Sequence, residues 1–194
     1  MPGWHQEGKL GGGGINVFIT DAGYKHTLGA LRALGNNGIR VIAGSSSKHS
    51  LSFYSKYCSK EVIYPNLKDE KAFIKFMLDF VMNTKIDVLL PVGYLTTTLL
   101  SKYKDDFCRY TKLPIADYKS MKIACNKEKT MNFAKKKGII IPKIYKTVEE
   151  INKFPIVVKG TKESGHVNYV NSLKELANIN LKNCIMQEYI PGEG

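Results

Sequence analysis

INVFITDAGYKHTLGALRALGNNGIRVIAG, residues 15–44, is the stretch from which the fold can be read. INVFIT (15–20) is a short apolar run, KHTLGALRALGNNG (25–38) spaces its apolar residues as a helix does and stops on glycine, and IRVIAG (39–44) is apolar again. The order is strand, helix, strand. Downstream, EVIYP (61–65) predicts a third strand, and DEKAFIKFMLDFVMN (69–83) predicts a helix with Phe73, Phe76, Met77, Phe80 and Val81 on one face behind an acidic first turn. IDVLLPV (86–92) follows as a buried strand. Short apolar strands alternating with amphipathic helices predict an α/β fold with a doubly wound parallel sheet, whose ligands sit beyond the carboxyl ends of the strands. That points to the loops Thr20–His26 and Pro91–Leu95.

The composition agrees with a globular chain. The 194 residues are 43% hydrophobic and 24% charged, too apolar and too mixed in sign for disorder. No apolar run approaches the roughly 18–20 residues needed to span a bilayer, so a membrane span is excluded. Residues 1–14, MPGWHQEGKLGGGG, carry no secretory-type apolar segment and end in four glycines; they read as a disordered leader. Cys58, Cys108, Cys125 and Cys184 lack the close C-x-x-C spacing of a zinc site or a disulfide framework, and the expected compartment is the cytoplasm.

The net charge of +12 leans toward the C-terminal half. Apart from Arg32, Arg40 and Arg109 the basic residues are lysines, which hold phosphates as point charges but lack the planar fork that reads base edges. A solvated lysine-rich surface, or a surplus serving a polyphosphate ligand, accounts for them better than nucleic-acid binding does. The eleven tyrosines are scattered and form no basic stacking platform.

Two phosphate-binding loops can be tested directly. The turn after the first strand, T-D-A-G-Y-K-H-T-L-G, lacks G-x-G-x-x-G, and the four-glycine run precedes that strand, so dinucleotide binding is disfavoured. Gly160-Thr-Lys-Glu-Ser-Gly165 has Walker A spacing but continues with His166-Val167 where Lys-Ser/Thr is required.

Past residue 117 the texture changes. Tyr118–Ala124 predicts a short helix, and NKEKTMNFAKKKG (126–138) a helix capped by Asn126 and stopped by Gly138. IPKIYK (141–146), FPIVVKG (154–160), a turn into HVNYV, a helix at SLKELAN (172–178) and a strand at NCIMQEYI (183–190) then predict a second, α+β unit of antiparallel character. Lys127 falls at the first helical position, where the helix dipole disfavours a cation by about 0.3–1 kcal/mol and an anion would be welcome. The plainer alternative is a lysine paired with Glu128 or solvated. Lys159 ends an apolar β-branched run, so its stem packs while its ammonium reaches the strand end or snorkels to water. The loop from Gly160 to His166 can wrap a phosphate or be a plain hairpin. The last strand breaks at Pro191, freeing backbone groups near Glu188 and Ile190.

Taken together, N-K-x-K-T-x-x-F-A-x-x-x-G-I-x-x-P (126–142), F-P-I-V-V-K (154–159), S-G-x-V (164–167) and M-Q-E-Y-I-P-G-E-G (186–194) resemble the ATP-grasp superfamily. The T-D-A-G-x-x-H-T-L start resembles the pre-ATP-grasp domain of carbamoyl-phosphate-synthase-like proteins and carboxylate-amine ligases. The resemblance implies a Rossmann-like pre-ATP-grasp domain (15–116), a helical linker (117–150) and an incomplete N-terminal ATP-grasp subdomain (151–194). It implies ATP as ligand, with Lys127 and Lys159 on the phosphates and Ser164 and Gly165 in the lid loop. Gln187, Glu188, Tyr189 and Ile190 would form the hinge around adenine, with the Glu188 carbonyl and the Ile190 amide on the base edge and Glu193 on the ribose. Tyr24, Lys25, His26, Gly93 and Tyr94 would lie in substrate loops. The implied reaction is activation of a carboxylate, bicarbonate or carbamate as an acyl phosphate, attacked by an amine-type nucleophile. The Mg²⁺ ligands of such enzymes fall after the hinge strand, hence beyond Gly194, and the segment alone is expected not to transfer phosphoryl groups. No catalytic residue can be named from this stretch. The competing expectation is a non-catalytic nucleotide- or partner-binding fragment or split subunit, with a homo-oligomer or a missing partner chain covering exposed apolar strand surface.

Overall fold

The computed structural model describes residues 14–161 and 167–192. Contacts divide the chain into two units, residues 1–118 and 119–194.

The first unit begins β1 (Asn16–Ile19), α1 (Lys25–Asn36), β2 (Arg40–Ser45). It continues with β3 (Cys58–Ile63), α2 (Glu70–Asn83), β4 (Val88–Leu90), α3 (Tyr94–Lys102) and α4 (Lys104–Phe107). Helix α1 ends where Gly38 takes φ +75°, a conformation glycine adopts without steric cost. All four strands are parallel, in the order β3-β2-β1-β4. Alternation along each strand sends side chains to opposite faces. Phe18 and Ile42 join Phe73, Met77, Leu89, Leu100 and Phe107 in one core. Ile19, Val41 and Ala43 join Ala22 and Leu31 in another. The sheet is therefore covered on both faces, as the near-continuous apolar strands require.

Three local expectations change. The third strand starts at Cys58 rather than Glu61, because it is an edge strand whose exposed Ser59, Lys60 and Glu61 satisfy the backbone ladder without an apolar signal. On α2 the fully buried stripe is Phe73, Ile74, Met77 and Val81, while Phe76 and Phe80 stack at its margin with ring centroids 6.2 Å apart. Helices α3 and α4 carry a threonine-rich, charged sequence that gives little periodic signal, yet Leu100 and Phe107 are fully buried.

The second unit has α5 (Tyr118–Ala124) at its border, then α6 (Lys127–Lys136), β5 (Ile144–Tyr145), β6 (Ile156–Gly160), β7 (Val167–Val170), α7 (Leu173–Leu176) and β8 (Cys184–Glu188). Asn126 caps α6 by accepting from the Lys129 amide at 2.9 Å. The sheet is antiparallel, ordered β5-β8-β6-β7. Tyr145, Ile156, Val158, Val170, Leu176 and Met186 form its core. The other face, by alternation, carries Val157 and Lys159 of β6, Ile185 and Gln187 of β8, and Val167 and Tyr169 of β7.

Candidate functional site

That second face carries two of the residues singled out in the sequence, Lys159 and Gln187. Lys159 sits in register with Val167 on one side and Ile185 on the other. Its stem is half-buried, and its ammonium is held below the ordinary lysine range, first by burial and then by the charge of Lys127. Lys127, at the start of α6, donates its backbone amide to the Thr161 carbonyl at 2.9 Å. That bond ties the helix start to the residue following β6, two positions past Lys159. Two cations that were 32 residues apart in the chain thus share one field.

Gln187 occupies the central position between β5 and β6, opposite Ile144 and Val157. It is 7% exposed and its Oε1 has no hydrogen-bond partner among the described residues. A buried amide oxygen left unpaired costs about 1–3 kcal/mol, so its place in the sheet calls for a donor.

At Glu188 the ladder opens. Its amide donates to the Lys143 carbonyl at 2.9 Å, but the returning Lys143 amide donates to the Glu188 carboxylate Oε1 at 2.8 Å rather than to the Glu188 carbonyl. The carbonyl therefore lacks the partner that a regular antiparallel pair would give it. Tyr189 and Ile190 follow, exposed beyond the strand end, and the Tyr189 ring meets Tyr169 edge-on at 5.9 Å. Tyr169, 64% exposed on the Lys159 face, was not singled out in the sequence; its place two residues after Val167 in an alternating strand is the only signal it had. Ser164, Gly165 and Glu193 lie outside the described residues. A separate cavity of about 450 Å³ beside the strand end is lined by Lys143, Tyr145, Phe154, Glu188, Tyr189 and Pro191. By alternation Tyr145 and Glu188 project to the core side, so this space is distinct from the lysine face.

In the first unit the two loops beyond the carboxyl ends are brought together by a residue the sequence did not flag as chemical. Asp21, at φ +60°, accepts from the Thr20 hydroxyl at 2.5 Å, the Gly93 amide at 2.7 Å and the Thr96 hydroxyl at 2.7 Å. Its own amide donates to Tyr64 Oη at 3.1 Å and its carbonyl accepts from Thr27 Oγ1 at 2.8 Å. Tyr24 and His26 stack above, ring centroids 5.0 Å apart, at a helix start with no side-chain cap and no acidic residue in its first turn. The Asp21 carboxylate is fully engaged within the protein, so its role here is to pin the two loops to each other.

No protein-family model and no curated protein matches the sequence. Solved structures do match. L-amino acid ligase from Bacillus licheniformis superposes with a TM-score of 0.70 at 20% identity, over 92% of this chain and 45% of that one. N5-carboxyaminoimidazole ribonucleotide synthetase from Thermotoga maritima gives 0.65 at 21% identity, over 91% and 46%. Glycinamide-RNase-transformylase T from Mycobacterium tuberculosis gives 0.62 at 14%, over 92% and 49%. The chain has the fold of the N-terminal portion of ATP-grasp ligases. It spans about half the length of the ATP-grasp structures it matches. At these identities the ATP-grasp likeness is one of fold, and the residues must argue their own chemistry.

Proposed function

We propose that the second unit binds the adenine nucleotide of an ATP-dependent ligase that activates a carboxylate for attack by an amine-type nucleophile. The observation that carries this reading is the convergence of Lys159 and Lys127 on one side of the sheet whose buried Gln187 Oε1 is unspent. A polyphosphate relieves the repulsion between the two ammonium groups. The exocyclic amine of adenine supplies the donor that Gln187 lacks, with the opened Glu188 carbonyl as its second acceptor and the Ile190 amide beyond it. Tyr189 and Tyr169 offer aromatic surface at the strand end. Ser164 and Gly165 of the lid loop and Glu193 toward the ribose complete the proposed set.

ATP-grasp ligases work with Mg²⁺, and one matched structure, the biotin carboxylase domain of Hydrogenobacter thermophilus 2-oxoglutarate carboxylase, is a complex with MgADP and bicarbonate. Among the described residues no group of three His, Cys, Asp or Glu side chains is placed to hold a metal ion. The metal is therefore assigned to no residue here, and no phosphoryl-transfer step is placed on this stretch. What these residues supply is nucleotide binding and orientation.

The test is calorimetric titration of the chain with MgATP, beside a Lys127→Ala, Lys159→Ala double variant at fixed salt. Saturable binding that the double variant loses supports the site. A folded chain that binds no MgATP overturns it.

A further inference from the structure

A second cavity, of about 830 Å³, lies in the first unit at the amino end of β4, the end of the sheet opposite the Asp21 loops. Its walls are the exit from α2, with Met82 and Lys85, and the stretch after α4, with Cys108, Tyr110, Thr111 and Lys112. The size is that of a small-molecule pocket.

Three features of the walls point to a ligand. The first is Thr111, 7% exposed, whose Oγ1 has no hydrogen-bond partner among the described residues although its amide is satisfied by the Phe107 carbonyl at 3.0 Å. The second is an excess of positive charge, two lysines against one carboxylate. Lys85 and Lys112 form no ion pair among the described residues, and the one carboxylate in the wall, Asp87, already accepts from the Asn16 amide at 2.7 Å. The third is apolar surface left open at the rim, where Tyr110 is 47% and Met82 54% exposed. The wall is also rigidly placed. The Lys112 amide donates to the Asp87 carbonyl at 3.0 Å and its carbonyl accepts from the Leu89 amide at 2.9 Å, a parallel bridge that extends the sheet beyond β4.

We propose that this cavity is a binding site for a small anionic aromatic molecule. Its ring lies against Tyr110 and Met82, its carboxylate, sulfonate or phosphate faces Lys85 and Lys112, and a polar substituent pairs with the Thr111 hydroxyl. Such a molecule uses what the wall leaves unspent: a net positive charge, one buried hydroxyl and an apolar rim. The proposal is made of first-unit residues alone and does not rest on the proposed nucleotide site of the second unit.

The probe is 1-anilinonaphthalene-8-sulfonate, titrated into the whole chain by fluorescence at fixed salt. Saturable binding is expected, weakened about tenfold or more by Lys85→Glu with Lys112→Glu and about fivefold by Thr111→Val. A Lys159→Ala chain should bind as the unaltered chain does. Exposed Cys108 gives a readout that needs no substitution. Its alkylation by iodoacetamide, followed by peptide mass mapping, should slow as the probe saturates. Unchanged Cys108 alkylation at saturation overturns the proposal, as does binding that survives the charge reversals or disappears with Lys159→Ala. Thr111→Val that raises thermal stability and leaves binding intact removes the hydroxyl from the site.

Discussion

Lys159, at the end of β6, stands in the field of Lys127 at the start of α6, whose charge makes the Lys159 proton harder to keep. Burial is the larger cause of the lowered Lys159 value and Lys127 the second. Between that value and the ordinary 10.5 the unfolded chain holds a proton that the folded chain has released, so the contribution of this group to stability rises with pH across that window. Lys127→Ala should move Lys159 up toward 10.5 without reaching it, since burial remains. Titration of the lysine ε-methylene signals by NMR measures this, and an unmoved Lys159 would remove Lys127 from its surroundings.

Gln187 separates base recognition from phosphate recognition. Gln187→Leu removes an acceptor that none of the described residues satisfies, so the unliganded chain should lose less than about 1 kcal/mol or gain stability. ATP affinity should fall about tenfold, or ~1.4 kcal/mol, while inorganic tripolyphosphate binds as before. Equal losses for both ligands would place the Gln187 side chain away from the base.

Asp21 carries the first unit's loops. Asp21→Ala leaves the Gly93 amide and two threonine hydroxyls without their acceptor and should cost about 2–4 kcal/mol in denaturant unfolding. Gly93→Ala tests the same contact from the other side. An added Cβ would lie 2.8 Å from the Asp21 carboxylate, which its three donors hold in place, and a loss of about 1–3 kcal/mol is expected. Near-wild-type stability for both variants would show that the loops are held by other contacts.

Tyr64 should resist ionisation. Burial first, and the Asp21 charge next, push its hydroxyl well above the usual tyrosine value of 10.0. The folded chain then keeps a proton that the unfolded chain loses above pH 10, so this stabilisation is complete below pH 10 and declines as pH rises beyond it. Tyr64→Phe should flatten that alkaline decline and cost about 1 kcal/mol at neutral pH through loss of the acceptor for the Asp21 amide. Unfolding midpoints at a series of alkaline pH values decide the point. A decline as steep in Tyr64→Phe as in the unaltered chain would assign it to another group.

What the sequence by itself determined is local and periodic. The alternation of INVFIT, the following helix and IRVIAG yields parallel strands buried on both faces; Asn126 and Gly138 mark the ends of α6; and the apolar run Ile156-Val157-Val158 delivers Lys159 to a strand end. Each of these depends on neighbours within one turn or one strand, where side-chain spacing dictates which face is buried. The tertiary structure decided everything that needed a partner far along the chain. Asp21 reads as a turn residue until the pairing of β1 with β4 brings Gly93 and Thr96 to its carboxylate. The resemblance marks Gln187 as a hinge residue, but only the flanking of β8 by β5 and β6 shows that its oxygen is left unpaired among the described residues. Lys112 carries no strand signal until its bridge to Val88 adds it to the edge of β4. Hydrogen-bond satisfaction is a property of the assembled sheet, and no periodicity in the chain encodes which polar atom will be left over.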